Sequence, residues 1–217
     1  VDVIRLLGPR LPARCVLADI TSIKGAPLEA MLASHPGPVV GFHPLFGPTT
    51  STMEQQIVAV PGRCDEECQW VSDQWAAWGC IVLRVDAEEH DRLMAIVQAL
   101  GHFATFAMGD FLCRRNVDIG RTLELSSPIY RLELGVIGRL FARDPSLYAE
   151  ILFASPERQA LLLEFVEALG RHRAMLKSGD KEAFRAEFCR IAEWFGPFSE
   201  QAMRESNFLI DKLVGRF

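Results

Sequence analysis

The stretch Pro38-Val39-Val40-Gly41-Phe42-His43-Pro44-Leu45-Phe46-Gly47-Pro48 decides how the first part of the chain is read. It is a short β-branched run that ends in a proline-bracketed loop carrying a histidine. Three comparable runs flank it, at residues 15–20, 56–60 and 80–85. Their continuously apolar character is that of strands covered on both faces. Between the runs, residues 27–34 and 65–78 have helical spacing, the second with Trp70, Val71, Trp75 and Trp78 in its apolar positions. Short strands alternating with helices predict an α/β unit on a mainly parallel sheet.

Beyond Val85 the pattern changes to helical spacing throughout, so the fold class is α/β followed by all-α. Residues 91–112 predict one long, largely buried helix, with Leu93, Ile96, Val97, Leu100, Phe103 and Phe111 among its inward positions. Ser127-Pro128, Asp144-Pro145, Ser155-Pro156 and Gly179-Asp180 each mark a new helix start, because Ser and Asp cap free backbone donors and Pro is pre-set for a first turn. A last helix begins near Pro197 and carries Phe198, Met203, Phe208 and Leu213.

Composition bounds the function. The 217 residues are 49% hydrophobic and 24% charged, with 23 basic against 28 acidic side chains and a net charge of -5. Lys and Arg are scattered, so no basic face for nucleic acid is expected. No apolar run approaches the roughly 20 residues that span a bilayer, and a membrane protein is not expected. No secretory signal opens the chain, so its six cysteines are expected as free thiols in a reducing cytosol. Cys64 and Cys68 lack a second ligand pair nearby, and a metal site is not expected. The chain starts at Val1 without an initiator Met. That start reads as a fragment, a processed product or a trimmed sequence.

Two segments have chemical content. Asp19-Ile20-Thr21-Ser22-Ile23-Lys24-Gly25 follows the first strand, where loops of open α/β sheets line a ligand crevice. Its hydroxyls and lysine suit a polar, anion-tolerant site; the same hydroxyls suit helix caps, and the residues leave both open. In the second, Pro44 pushes His43 toward an extended backbone, and Pro44 and Pro48 stiffen the loop, which would fix the imidazole as a general base requires. A histidine satisfied beneath a rigid turn is the plainer reading of the same spacing.

Gly41 to Pro48, Glu89-His90-Asp91, Gln98-Ala99-Leu100-Gly101-His102-Phe103-Ala104-Thr105-Phe106 and Leu125-Ser126-Ser127-Pro128-Ile129-Tyr130-Arg131-Leu132-Glu133-Leu134 follow one another in this order. Gly138-Arg139-Leu140-Phe141-Ala142, Asp144-Pro145, Leu147-Tyr148-Ala149 and Trp194-Phe195-Gly196 continue the series. Over nearly the whole chain these blocks resemble bacterial prephenate dehydrogenases, in particular the dehydrogenase part of enteric chorismate mutase–prephenate dehydrogenases.

The resemblance implies the later part of a Rossmann-like nucleotide-binding domain in residues 1–86 and an all-helical substrate-binding and dimerisation domain in residues 87–217. It implies a cytoplasmic homodimer that converts prephenate to 4-hydroxyphenylpyruvate and carbon dioxide in tyrosine biosynthesis, with NAD as cofactor and NADP left open. His43 falls on the family's catalytic histidine, which takes the proton of the ring hydroxyl. Ser22 falls on a serine that orients this imidazole and helps hold the nicotinamide, with Thr21 and Pro44 also on the cofactor side. Arg139 falls on the arginine that pairs with a prephenate carboxylate, and His102 on a histidine of the substrate pocket. Lys24, His90, Arg131 and Tyr148 fall on positions near the substrate, Tyr148 in the region that senses tyrosine, the implied feedback inhibitor.

Two departures stand out. Gln98 occupies a position where many relatives carry Ser, and the 16 glycines never take the Gly-x-Gly-x-x-Gly spacing that receives a pyrophosphate. Two alternatives remain beside the dehydrogenase: a catalytically incomplete, dimerising and tyrosine-binding helical domain, and an arogenate dehydrogenase, whose substrate differs only in a side-chain keto or amino group.

Overall fold

Four short strands, β1 (Leu17–Asp19), β2 (Val39–Pro44), β3 (Gln56–Arg63) and β4 (Ile81–Arg84), form one sheet in the order β1-β2-β3-β4 in the computed structural model. The structure describes residues 1–47 and 51–213, so Pro48 and its stiffening role lie outside the described residues. The chain divides into two compact units, Val1–Ala99 and Leu100–Phe217.

The first unit carries the sheet. β1 pairs with β2 in parallel and β3 with β4 in parallel, whereas β2 and β3 run antiparallel. The expected mainly parallel sheet is therefore mixed. The connections explain it: α2 (Gly25–Ser34) links β1 to β2 and α3 (Asp65–Ala77) links β3 to β4, giving two helical crossovers. The described part of residues 45–55 contains no helix, and a chain without a crossover returns antiparallel.

The two central strands are apolar without interruption but sort their side chains by period 2. Val40, Phe42, Ile57 and Ala59 pack with Cys68, Val71 and Trp75 of α3. Val39, Val58 and Val60 pack with Leu28 and Met31 of α2 on the opposite face. The expected apolar stripe of α3 is corrected here, because Trp70 is 61% and Trp78 52% exposed. The buried stripe follows positions 68, 71, 72 and 75, the i, i+3, i+4, i+7 series, which excludes both tryptophans. An unforeseen short helix, α1 (Asp2–Leu7), packs on α2.

α4 (Ala87–Met94) starts at Asp86, whose carboxylate accepts from the Glu89 amide. It passes through a π-helical turn, Ala95–Leu100, into α5 (Gly101–Arg114). The helical stretch Ala87–Arg114 is thus longer than expected, and its length and composition suffice to cross a membrane, contrary to the sequence estimate of apolar runs. It is not largely buried: Leu93, Ile96, Val97 and Phe111 are exposed, and the buried positions are His90, Met94 and Ala99.

The second unit is helical: α5, α6 (Ile119–Glu124), α7 (Pro128–Phe141), α8 (Pro145–Leu152), α9 (Pro156–Ser178), α10 (Lys181–Phe195) and α11 (Phe198–Leu213). Ser127, Asp144, Ser155 and Asp180 cap α7 to α10 as their sequence positions predict, and α9 ends on Gly179 at φ +67. α6 was not foreseen; Asp118 caps it through the Arg121 amide. Many large apolar side chains of this unit face outward, among them Leu169, Leu176, Phe188, Trp194 and Phe208.

Candidate active site

His43 sits near the end of β2, on the same sheet face as Val39 and Gly41, and is 3% exposed. α4 brings His90 against it. His43 Nδ1 lies 2.9 Å from His90 Nε2, and the two rings meet edge to face. His90 Nδ1 lies 2.7 Å from a carboxylate oxygen of Asp91. On the other side, the Gln98 amide nitrogen is 3.1 Å from His43 Nε2. The Gln98 Oε1 atom is buried without a hydrogen-bond partner.

Asp91 has a second task. Its carboxylate oxygens accept the backbone N–H groups of Lys24 and Gly25, each at 2.9 Å. Lys24 is the N-cap residue of α2 and contributes no side-chain cap of its own, so a residue from α4 caps α2 from outside. Burial works to raise the Asp91 carboxyl, but the hydrogen bonds from His90, Gly25 and Lys24 outweigh it and hold the group below its usual value.

The loop after β1 differs from expectation at Lys24. This side chain is 0% exposed, and its ammonium donates to Asp19 and, at 2.7 Å, to the Phe42 carbonyl. A lysine so enclosed supports the strand ends. Burial pushes its ammonium below the usual lysine value against the pull of Asp19 and Asp91. Gly41 makes room for it: a Cβ there would lie 3.1 Å from Lys24 Cδ and 3.1 Å from Asp19 Oδ1. His90 is also buried, 1% exposed, with both its ring nitrogens engaged inside the protein.

Ser22 is half-buried at the carboxyl end of β1, and no hydrogen bond is found for it among the described residues. The partner found at His43 Nδ1 is His90. Thr21 is exposed, with its hydroxyl turned back onto Asp19 and onto the Ile23 carbonyl at 2.8 Å. Pro44 is half-buried and closes β2.

In the helical unit, His102 and Tyr148 meet edge to face with ring centroids 5.0 Å apart. Both line a cavity of about 610 Å³ walled by α5, α7, α8 and α9, with Phe103, Phe141 and Arg143 among its residues. Burial lowers the affinity of His102 for a proton, which favours the neutral imidazole. Arg139 is exposed on α7 and does not line this cavity; Arg131 is half-buried on the same helix. Arg143, which does line it, was not singled out from sequence. Asp91 was also passed over as a functional residue, although a His-Asp pair one turn into a helix was a legible signal.

The helical region matches a known family. Residues 86–190 match the family described as prephenate dehydrogenase, dimerization domain. The chain is 47% identical over 203 residues to the T-protein of Enterobacter agglomerans, covering 93% of this chain and 54% of that protein. It is 39% identical over 212 residues to the T-protein of Haemophilus influenzae, covering 97% of this chain and 56% of that one. The chain therefore spans about half the length of the curated relatives it matches. A crystal structure of prephenate dehydrogenase from A. aeolicus, in complex with hydroxyphenyl propionate and NAD+, shares the fold with a TM-score of 0.67 at 19% identity, over 89% of this chain and 71% of that one. By its helical region and along nearly its entire length, the chain is similar to prephenate dehydrogenases and to the T-proteins.

Proposed function

We propose that the protein acts as a prephenate dehydrogenase, with His43 as the base that receives the proton of the ring hydroxyl. The observation that carries this reading is the engagement of His43 Nδ1 by His90, which makes Nε2 the ring nitrogen proposed to accept the proton. Bound NAD would accept the hydride from the ring carbon that bears the hydroxyl. As the proton goes to Nε2, that carbon becomes a carbonyl, the ring carboxylate leaves as carbon dioxide and the ring becomes aromatic. For the cofactor, this chain offers the strand-end loops: Ser22 fits the nicotinamide end through its uncommitted hydroxyl, with Thr21 and Pro44 beside it. The glycine-rich turn for a pyrophosphate is not among these 217 residues. For the substrate, Arg139 and Arg131 are proposed for the carboxylates, where a guanidinium fork binds bidentately, with His102 and Tyr148 shaping the pocket. The outward apolar side chains of the helical unit support a homodimer that covers them.

The test is turnover of prephenate followed by reduction of NAD. His43→Asn should lose about 100-fold or more in kcat with little change in KM. Undiminished turnover would remove His43 from this role.

A second reading is favoured by the largely apolar cavity around His102 and Tyr148: a helical domain that binds tyrosine. Calorimetry on the 217-residue chain separates the two. Heat with tyrosine and none with NAD supports the second reading for this chain, and heat with NAD supports the first.

A further inference from the structure

We infer that the cavity of the helical unit binds an aryl-alkanoate anion, with Arg143 as the residue that takes its carboxylate. The inference rests on the second reading for one point alone, that this cavity holds a ligand, and it does not involve His43. The walls are largely apolar. Phe103, Phe106 and Phe141 supply aromatic faces, the last two with ring centroids 6.1 Å apart, and aliphatic side chains of α8 and α9 complete them. At about 610 Å³ the space has the size of a small-molecule site, roughly 300–1,000 Å³.

Four polar side chains interrupt these walls: His102, Arg143, Tyr148 and Gln159. None of the four has a side-chain hydrogen bond or an ion pair among the described residues. No Asp or Glu lines the cavity, and burial favours the neutral form of His102. Arg143 is therefore the one cation among the lining residues, in an apolar setting where an unpaired charge is costly. It sits in the turn between α7 and α8, where its backbone N–H donates to the Leu140 carbonyl at 3.3 Å. The neighbouring Asp144 carboxylate is committed to capping α8 and accepts the Ser146 N–H at 2.9 Å. The lining supplies no counter-charge, so an anionic ligand must bring it. A guanidinium fork receives a carboxylate through two parallel hydrogen bonds, and an aryl ring suits the phenylalanine walls. An amino group beside that carboxylate would lose its water with no acidic side chain to receive it. The ligand class is thus a monoanion with an aromatic body, without the ammonium of an amino acid.

Calorimetry of the 217-residue chain at pH 7 with 3-phenylpropionate, 3-phenylpropionamide and phenylalanine tests this. The three share one aryl chain and differ in the carboxylate and the ammonium. The acid should bind ~tenfold or more tighter than either of the others, the weight of a charge-assisted hydrogen bond. Arg143→Gln should bring the acid down to the affinity of the amide and leave the amide unchanged. Equal affinities for acid and amide in the wild type would overturn the inference, as would a variant that keeps the gap between them. If the variant fails to fold, the wild-type series still decides. No heat with any of the three would overturn it as well, and sedimentation as a dimer would then assign the cavity to a subunit interface. The second reading fails separately: no heat with tyrosine sinks it while the acid–amide gap stands, and heat with tyrosine alone supports it and sinks this inference.

Discussion

Lys24→Met separates a structural lysine from a substrate lysine. The substitution keeps the length and apolar stem but removes an ammonium that is 0% exposed and bonded to Asp19 and the Phe42 carbonyl. Asp19, itself 7% exposed at the side chain, would retain only Thr21 as a hydrogen-bond partner among the described residues. Breaking a buried pair by removing one member costs about 3–5 kcal/mol, because the other charge stays behind uncompensated. Against a total stability of roughly 5–15 kcal/mol, that is a large part of the fold. Urea unfolding at pH 7 measures it. The double variant Asp19→Asn/Lys24→Met should recover most of the loss, since both charges then leave together. The wild type adds a pH signature. Between the lowered value of Lys24 and its usual 10.5, the unfolded chain binds the proton and the folded chain does not, so stability rises with pH in that window. The Met variant should lack that rise. A loss below about 1 kcal/mol, accompanied by a raised KM for prephenate, would refute the structural role.

Two other outcomes follow from the packing. Cys68 is buried and its thiol is pushed up to about 11, first by burial and then by Asp65, while Cys64 is exposed; at pH 8.5 iodoacetamide should modify Cys64 promptly and leave Cys68 untouched until denaturant is added, as peptide mass mapping would show. In the helical unit, a Cβ at Gly109 would come within 2.2 Å of the Phe141 ring; Gly109→Ala should therefore cost about 1–3 kcal/mol in chemical denaturation, and an unchanged midpoint would mean that α7 yields freely.

The sequence made the strands and helix starts legible because both depend on local chemistry. β-branched runs mark β2 and β3, and Ser127, Ser155 and Asp180 cap the helices that they precede. Strand direction was not legible, since it depends on whether residues 45–55 hold a crossover helix. The exposure of Trp70 and Trp78 was hidden for a related reason: several apolar residues in one helix admit more than one stripe, and only the sheet selects among them. At the site, the proline after His43 constrains its backbone, but the residues alone left its role open and only the resemblance singled it out. Its partner His90 lies 47 positions away, and no local pattern joins them. Lys24 shows the opposite limit, because a lysine in a strand-end loop gives no sign of its burial.

Gly41 has a consequence for how this site can vary. The vacancy left by its missing side chain, in the middle of a buried strand, is filled by the stem of Lys24. Positions 24 and 41 therefore share one allotment of volume, and a methyl group at 41 would be accommodated only with a shorter residue at 24. A descendant that enlarges the glycine first must displace the cation that neutralises Asp19, and one that shortens Lys24 first loses the same cation, so either order passes through an uncompensated Asp19.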